Sequence, residues 1–189
     1  MDLKKLYEEC RTFRRFKQDE ISKADITEAL DMARISSCGM NAQKLRYIAV
    51  LNKDTVAKMQ PLVKWAGFLP KELGTPKENE CPTAYIAVLK SKDAGAFIDV
   101  DLGIATNTIV TMLYSKGIGS CILGSVNVAE AEKLLEVPED LSLRLVIGIG
   151  YPDHKSSITE VTDDLKYRMD ENRDYVVPKL DFDKVVKII

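Results

Sequence analysis

The stretch Phe97-Ile-Asp-Val-Asp-Leu-Gly-Ile-Ala-Thr-Asn-Thr-Ile-Val-Thr-Met-Leu-Tyr-Ser-Lys116 decides how the chain is read. Ile98, Leu102, Ala105, Ile109, Met112 and Leu113 recur at helical spacing. From Leu102 to Ser115 no residue carries a charge. A helix without charge on any side belongs in the interior, so the spacing predicts a central, buried helix. The uncharged run falls short of the ~18 residues that a membrane span needs.

Working outward, strands flank this helix. Ala84 to Leu89 is almost continuously apolar, Arg46 to Leu51 reads as a strand, and Leu143 to Ile149 is the strongest strand signal. Gly117-Ile-Gly119 ends the central helix, and Ser120 to Gly124 reads as a short strand. Residues 2–10 form a helical stripe through Leu3, Leu6, Tyr7 and Cys10. Ser22-x-x-Asp25 caps a second helix, with Ile26, Ala29, Leu30 and Ala33 inside, ending near Ser36. Asp54 starts a helix to about Trp65, Asn127-x-x-Glu130 caps another, and Asp181 begins a last amphipathic one. Between Tyr151 and about Asp174 the chain reads as polar and irregular, followed by extended Tyr175-Val-Val177. Strands alternating with helices around one buried helix predict an α+β fold with a mixed, mainly antiparallel sheet, and a single domain over 1–189. Gly67, Pro70, Gly74, Pro76 and Pro82 mark residues 66–82 as a long loop, the expected lid of a binding site.

Composition excludes several classes. The 189 residues are 46% hydrophobic and 30% charged with net charge −2, which fits a folded globule and disfavours a basic nucleic-acid binder. Cys10, Cys38, Cys81 and Cys121 lie far apart and His154 is the sole histidine, so no metal-ligand spacing exists. A serine hydrolase would rest on that one imidazole. The opening MDLKKLYEEC lacks an apolar signal core, and the expectation is a cytoplasmic protein with reduced thiols and no membrane association.

Polar constellations suggest where chemistry sits. Arg11 and Arg14, with the Thr12 hydroxyl between, can converge on a phosphate or carboxylate, while a solvated basic face is the alternative. Ser37-Cys-Gly39 with Asn41 and Gln43 combines small residues with amides that suit the edge of a heterocycle; a plain helix-ending turn is the alternative. Gly117-x-Gly119 follows a helix and so is no dinucleotide fingerprint, and Gly148-x-Gly150 reads as a turn. Lys179 follows Val-Val-Pro178.

The order of these pieces resembles the FMN-dependent nitroreductase family, especially its short members. Arg11-Thr-Phe-Arg-Arg-Phe16 is similar to the family's R-[ST]-x-R-x-[FY] segment, and Ala33 to Tyr47 to its A-R-x-x-P-S-x-x-N-x-Q segment. Asp101-Leu-Gly-Ile-Ala105, Gly117 to Gly124, Gly148-Ile-Gly-Tyr-Pro152 and Val177-Pro-Lys179 resemble four later markers. The resemblance implies a homodimer holding FMN in two interface sites, with residues 165–189 reaching the partner. Arg11, Thr12 and Lys179 would meet the phosphate, and Arg14 the pyrimidine end, with Lys77 as a second cation there. Ser37, Cys38, Gly39, Asn41 and Gln43 would come from the partner. Ile122 and Leu123 would pack on the ring, with the Gly124 N–H and Ser125 near N5. Trp65 and Phe68 would face the substrate, or else pack into core or dimer surface.

The implied activity is hydride transfer from NADH or NADPH through flavin N5 to a small electrophile such as a nitroaromatic or quinone, by ping-pong kinetics. The flavin does the chemistry, so no side chain is assigned as catalytic acid or base. The resemblance also leaves open a dehalogenating or flavin-fragmenting enzyme, or a non-catalytic FMN or metabolite binder. Ser37-Cys38 stands where the family has Pro-Ser, Lys44 where it has Pro, and Leu180 where relatives have a cation. These departures predict weaker retention of the flavin on purification.

Overall fold

A computed structural model of the chain describes residues 2–161 and 164–189. Four strands form the main sheet: β1 (Leu45–Val50), β2 (Ala84–Ser91), β3 (Gly119–Leu123) and β4 (Leu141–Gly150), in the order β1-β2-β4-β3. Every pairing in it is antiparallel. Helices α1 (Leu3–Glu9), α2 (Lys23–Ile35), α3 (Lys53–Met59), α4 (Lys71–Gly74), α5 (Ile98–Ser115), α6 (Val128–Leu134) and α7 (Phe182–Val185) surround it.

The apolar run of β2 is explained by its position. Ile86 and Val88 face α2 and α5, together with Ile26, Ala29, Ile109, Leu113 and Ile147. Tyr85, Ala87 and Leu89 face the other way, toward Val56 and Met59 of α3 and Ala131 of α6. Both faces are therefore dry, and each fully buried aliphatic contributes about 1.5–3 kcal/mol. The β2–β4 register shifts at Val88/Leu89, so that Leu143 and Leu145 are successive partners and Arg144 is the extra residue. This bulge reverses the facing of β4: Leu145 lies in the first cluster and Leu143 in the second, although the two are separated by the usual strand period.

The antiparallel sheet, its helices and the position of α5 agree with the expected α+β class. Three local expectations are corrected. Residues up to about Asp174, expected to be irregular, contribute two strands to a second sheet: β5 (Ser156–Glu160) runs parallel to β7 (Tyr175–Lys179), the piece expected to be extended, and β6 (Arg168–Met169) pairs antiparallel to β7. Its strands alternate weakly because only Tyr175 and Pro178 of β7 are buried. The helix after Asp54 stops at Met59, and Pro61 turns the chain into a 3₁₀ segment, Gln60–Leu62. Finally, α5 is not enclosed on all sides: Phe97, Val100 and Ile104 are exposed, an apolar stripe along one face in the single chain.

The glycine pairs are also not turns, apart from Gly117 with φ +78°. A Cβ on Gly119 would sit 2.8 Å from the Phe13 ring, and one on Gly150 would sit 2.7 Å from Phe16 Cβ. Their bareness lets residues 11–16 lie against the edge of β3, fixed by Phe13 N–H to Ser120 O at 2.8 Å and a parallel bridge between Thr12 and Ser120.

Candidate functional site

The extended course of residues 11–16 sorts their side chains. Phe13 and Arg15 turn inward at 4% exposure each, leaving Thr12 and Arg14 on the opposite side. There a cleft of about 230 Å³ opens, lined by Arg11, Thr12, Arg14, Ile122, Tyr167 and Lys179 among others. Three cations meet in it, and no carboxylate stands among its described walls. Arg11 is tethered by its Nη2 to the Tyr7 carbonyl at 2.5 Å, while its Nε is buried with no partner among the described residues. An orphaned donor beside two further cations is a ready seat for an anion.

Arg14 is held at both ends. Its backbone N–H donates to Nε2 of His154 at 2.9 Å. Its guanidinium lies against the Tyr167 ring at 4.4 Å and the Tyr175 ring at 4.9 Å. Cation–π contacts occupy the faces of the guanidinium and leave its N–H edges for a ligand. His154 in turn contacts the Lys155 carbonyl through Nδ1 at 2.8 Å. Burial pushes its pKa down to about 4, so the imidazole is neutral at physiological pH.

Behind the cleft, Arg15 donates to the Arg173 carbonyl, and Arg173 grips Glu80 through two bonds of 2.7 and 3.1 Å. The Arg173 hydrogen bond holds the Glu80 carboxyl below the usual range. This cluster joins the end of the 66–82 loop to the turn before β7.

Five predicted residues converge on the cleft: Arg11, Thr12, Arg14, Ile122 and Lys179. Ile122 presents an exposed apolar wall, and Gly124, two residues further along the same face, adds no side chain and leaves open space. Leu123 is corrected: its side chain is 4% exposed and packs in the core, as strand alternation requires. Ser125 is engaged by its carbonyl with Lys64 N–H and lies outside the cleft walls. Lys77 is likewise not among them; its backbone N–H donates to the Glu80 carboxylate at 3.0 Å. Trp65 is half-buried against the second apolar cluster, whereas Phe68 is exposed and meets the Tyr167 ring at 5.3 Å in a tilted arrangement.

The remaining predicted residues form a separate group at the other end of α5. Ser37, Cys38 and Gln43 line a cavity of about 100 Å³ with Tyr47 and Asp101. Gly39 borders an adjoining one, and its N–H donates to the buried Asp101 carboxylate at 2.7 Å. Gln43 Nε2 bonds Asn41 Oδ1 at 3.1 Å. Met40, Asn41 and Gln43 all have φ near +50°, an unusual run for non-glycine residues that costs about 1–3 kcal/mol per residue. Asp101 in the first turn of α5 and Val110 beside the cleft are separated by roughly 13 Å of helix. In the single chain the two groups line separate cavities.

Sequence reasoning missed Asp101, Tyr167 and the Arg15–Arg173–Glu80 cluster as parts of the site. Asp101 carried a signal, as the second of two acids in the first turn of an otherwise uncharged helix. Tyr167 carried none, because it arrives from a segment without periodicity.

The family model "Nitroreductase family" matches residues 8–151. The chain belongs to the nitroreductase family. It is 25% identical over 159 residues to iodotyrosine deiodinase of Thermotoga neapolitana, covering 76% of this chain and 84% of that protein. Among solved structures it is similar to a nitroreductase family protein of Streptococcus pneumoniae (TM-score 0.72, 16% identity, 100% of both chains). It is also similar to an iodotyrosine deiodinase bound to FMN and 3-iodo-L-tyrosine (TM-score 0.68, 22% identity, 86% of this chain and 96% of that one). These structures share the α+β fold.

Proposed function

We propose that the protein is an FMN-dependent oxidoreductase that passes hydride from NADH or NADPH to a small electrophile such as a nitroaromatic or quinone. The observation carrying this reading is the acid-free cleft in which Arg11, Arg14 and Lys179 meet, with the Arg11 Nε left unpartnered. Such a donor set fits a phosphate dianion and the polar edge of a flavin, and the exposed Ile122 side chain fits its apolar face. Family membership and the FMN-bound relative point the same way.

The working unit in this reading is a homodimer. The group Ser37, Cys38, Gly39, Asn41 and Gln43 lies roughly 13 Å along α5 from the cleft, and in this reading it serves the partner's site. The exposed stripe Phe97, Val100 and Ile104 supplies a face to bury between subunits. The exposed apolar residues Phe182, Val185, Ile188 and Ile189 suit a C-terminal arm that reaches across. Residues 66–82 form the lid, with Phe68 at its lip. In this reading the Gly124 N–H keeps its place near flavin N5, while Ser125 and Lys77, outside the cleft walls, are given no contact with the flavin. The four free cysteines favour a reducing compartment such as the cytoplasm.

FMN, when bound, supplies reversible two-electron exchange at N5. The chain's own residues bind and orient. Arg11, Lys179 and the Thr12 hydroxyl hold the phosphate. Arg14 places a fixed positive charge at the pyrimidine end, which favours the more negative, reduced form of the ligand. The aromatic lid excludes water from the open face. Donor and acceptor share that face, hence ping-pong kinetics.

A second reading, reductive dehalogenation on the same cradle, is favoured by the similarity to the Thermotoga deiodinase. The test is an anaerobic titration of FMN-loaded protein with each nucleotide, then with a nitroaromatic, a quinone and a halophenol. Bleaching by NAD(P)H and reoxidation by the first two supports the nitroreductase reading. Halide release with no nitro reduction supports the second. Bound but unbleached flavin marks a binder, and failure to take up FMN removes all three. In the same assay Arg14→Ala weakens FMN binding about 10–100-fold, as loss of a charged hydrogen-bond donor implies.

A further inference from the structure

The geometry points to Tyr167 as a positioning residue that joins the lid loop to the Arg14 guanidinium. Its ring covers Arg14 at 4.4 Å on one side and packs against the Phe68 ring at 5.3 Å on another. Its hydroxyl accepts the Phe68 backbone N–H at 3.3 Å. It also lines the cationic cleft itself. A single side chain thus touches the lip of the lid, the cation proposed for the flavin's pyrimidine end, and the space between them.

The neighbours make this a fixed linkage. Tyr167 leans on Tyr175 at 5.9 Å, and Tyr175 is 1% exposed and also stacks on Arg14. The anchor is therefore the rigid β7 strand. The other end of the lid is tied to the same C-terminal segment, by Arg173 on Glu80. Residues 66–80 are consequently strapped at both ends by residues 167–173, and the Tyr167 strap is the weaker: one hydrogen bond and stacking against a bidentate ion pair. When the lid lifts, the Phe68 end parts first, and Tyr167 loses half its packing. The Arg14 face it covers is then freed. Lid position and cation orientation move together through this one ring.

The role in ligand binding rests on the flavin reading above; the mechanical linkage does not. The experiment uses full-length protein before and after FMN addition, comparing wild type with Tyr167→Leu and Tyr167→Phe. Amide exchange before FMN addition reads the linkage. In Tyr167→Leu, exchange across 66–69 rises about tenfold, the effect expected from one lost ring contact. In Tyr167→Phe the rise is smaller and confined to Phe68, because only the hydroxyl acceptor is lost. FMN affinity and midpoint potential read the positioning. Tyr167→Leu binds about tenfold more weakly and has a lower potential, whereas Tyr167→Phe retains both because the ring still covers Arg14. A merely structural role would lower the melting temperature without moving the potential. Unchanged exchange at 66–69 in both variants overturns the linkage. Faster exchange with an unchanged potential in Tyr167→Leu overturns the positioning role. Faster exchange in a protein that takes up no FMN, wild type included, sinks the flavin reading and leaves the linkage standing.

Discussion

His154 Nε2 receives the backbone N–H of Arg14 at 2.9 Å, across 140 positions of the sequence. Its Nδ1 lies 2.8 Å from the Lys155 carbonyl, which fixes the neutral tautomer with the proton on Nδ1. The one histidine therefore holds a binding residue in place and has no free nitrogen for acid–base work.

That arrangement predicts acid sensitivity. The folded-state pKa is depressed to about 4, chiefly by burial. In the unfolded chain a histidine titrates near ~6.5. Between those values the unfolded chain takes up a proton that the folded one refuses, so stability falls as pH drops from about 6.5 toward 4. Urea midpoints at pH 7, 5.5 and 4.5 should decline in wild type, and His154→Asn should flatten that decline at the cost of a lower midpoint at pH 7. The Glu80 carboxyl, lowered by Arg173, contributes stability that is lost only at more acidic pH, as it is protonated.

Gly150→Ala tests the seating of residues 11–16. The added methyl would meet Phe16 Cβ at 2.7 Å, and Phe16 is fully buried and cannot swing away. A loss of about 1–3 kcal/mol is expected in a denaturation experiment. Because the displaced segment carries Arg11 and Arg14, FMN affinity should fall with it. Gly124→Ala meets nothing within 4 Å and should leave stability unchanged.

Asp101→Ala tests the strained 39–43 turn. The buried carboxylate holds Gly39 N–H at 2.7 Å beside residues with positive φ. Without that acceptor the buried N–H is unpaired, at about 1–3 kcal/mol. Asp101→Asn keeps an oxygen acceptor and should lose less. Chemical denaturation of both variants gives the comparison.

Tyr85→Phe should be neutral or stabilising by up to about 1 kcal/mol. The ring is fully buried, and its hydroxyl has no partner among the described residues. A melting temperature several degrees lower would mean that the hydroxyl is satisfied by a bound water.

The pattern that was legible in the sequence is the pattern set by local periodicity. The apolar run of β2, the spacing on α5 and the caps Ser22 and Asn127 all announce themselves because the core dictates them. Arg11, Thr12, Arg14 and Lys179 were legible as a set only through family resemblance; their meeting depends on bare glycines in β3 and β4, whose close contacts look like turn signals in one dimension. Tyr167 and Arg173 were not legible, since their partners Phe68 and Glu80 are about a hundred residues away in a loop with no repeat. The inward turn of Leu123 follows from strand alternation, and expecting it beside Ile122 on the same ligand ignored that alternation.

The extra residue at Arg144 makes that position the one place where β4 can lose a residue without changing its register. Deleting Arg144 would leave Leu143 directly before Leu145, still in the opposite layer and still beside Leu89, whereas deleting Val146 would carry every earlier residue of the strand to the wrong layer. Insertions and deletions in this chain should therefore be tolerated around Asp93 to Ala96, between strand and central helix, and rejected within a strand only a few positions away.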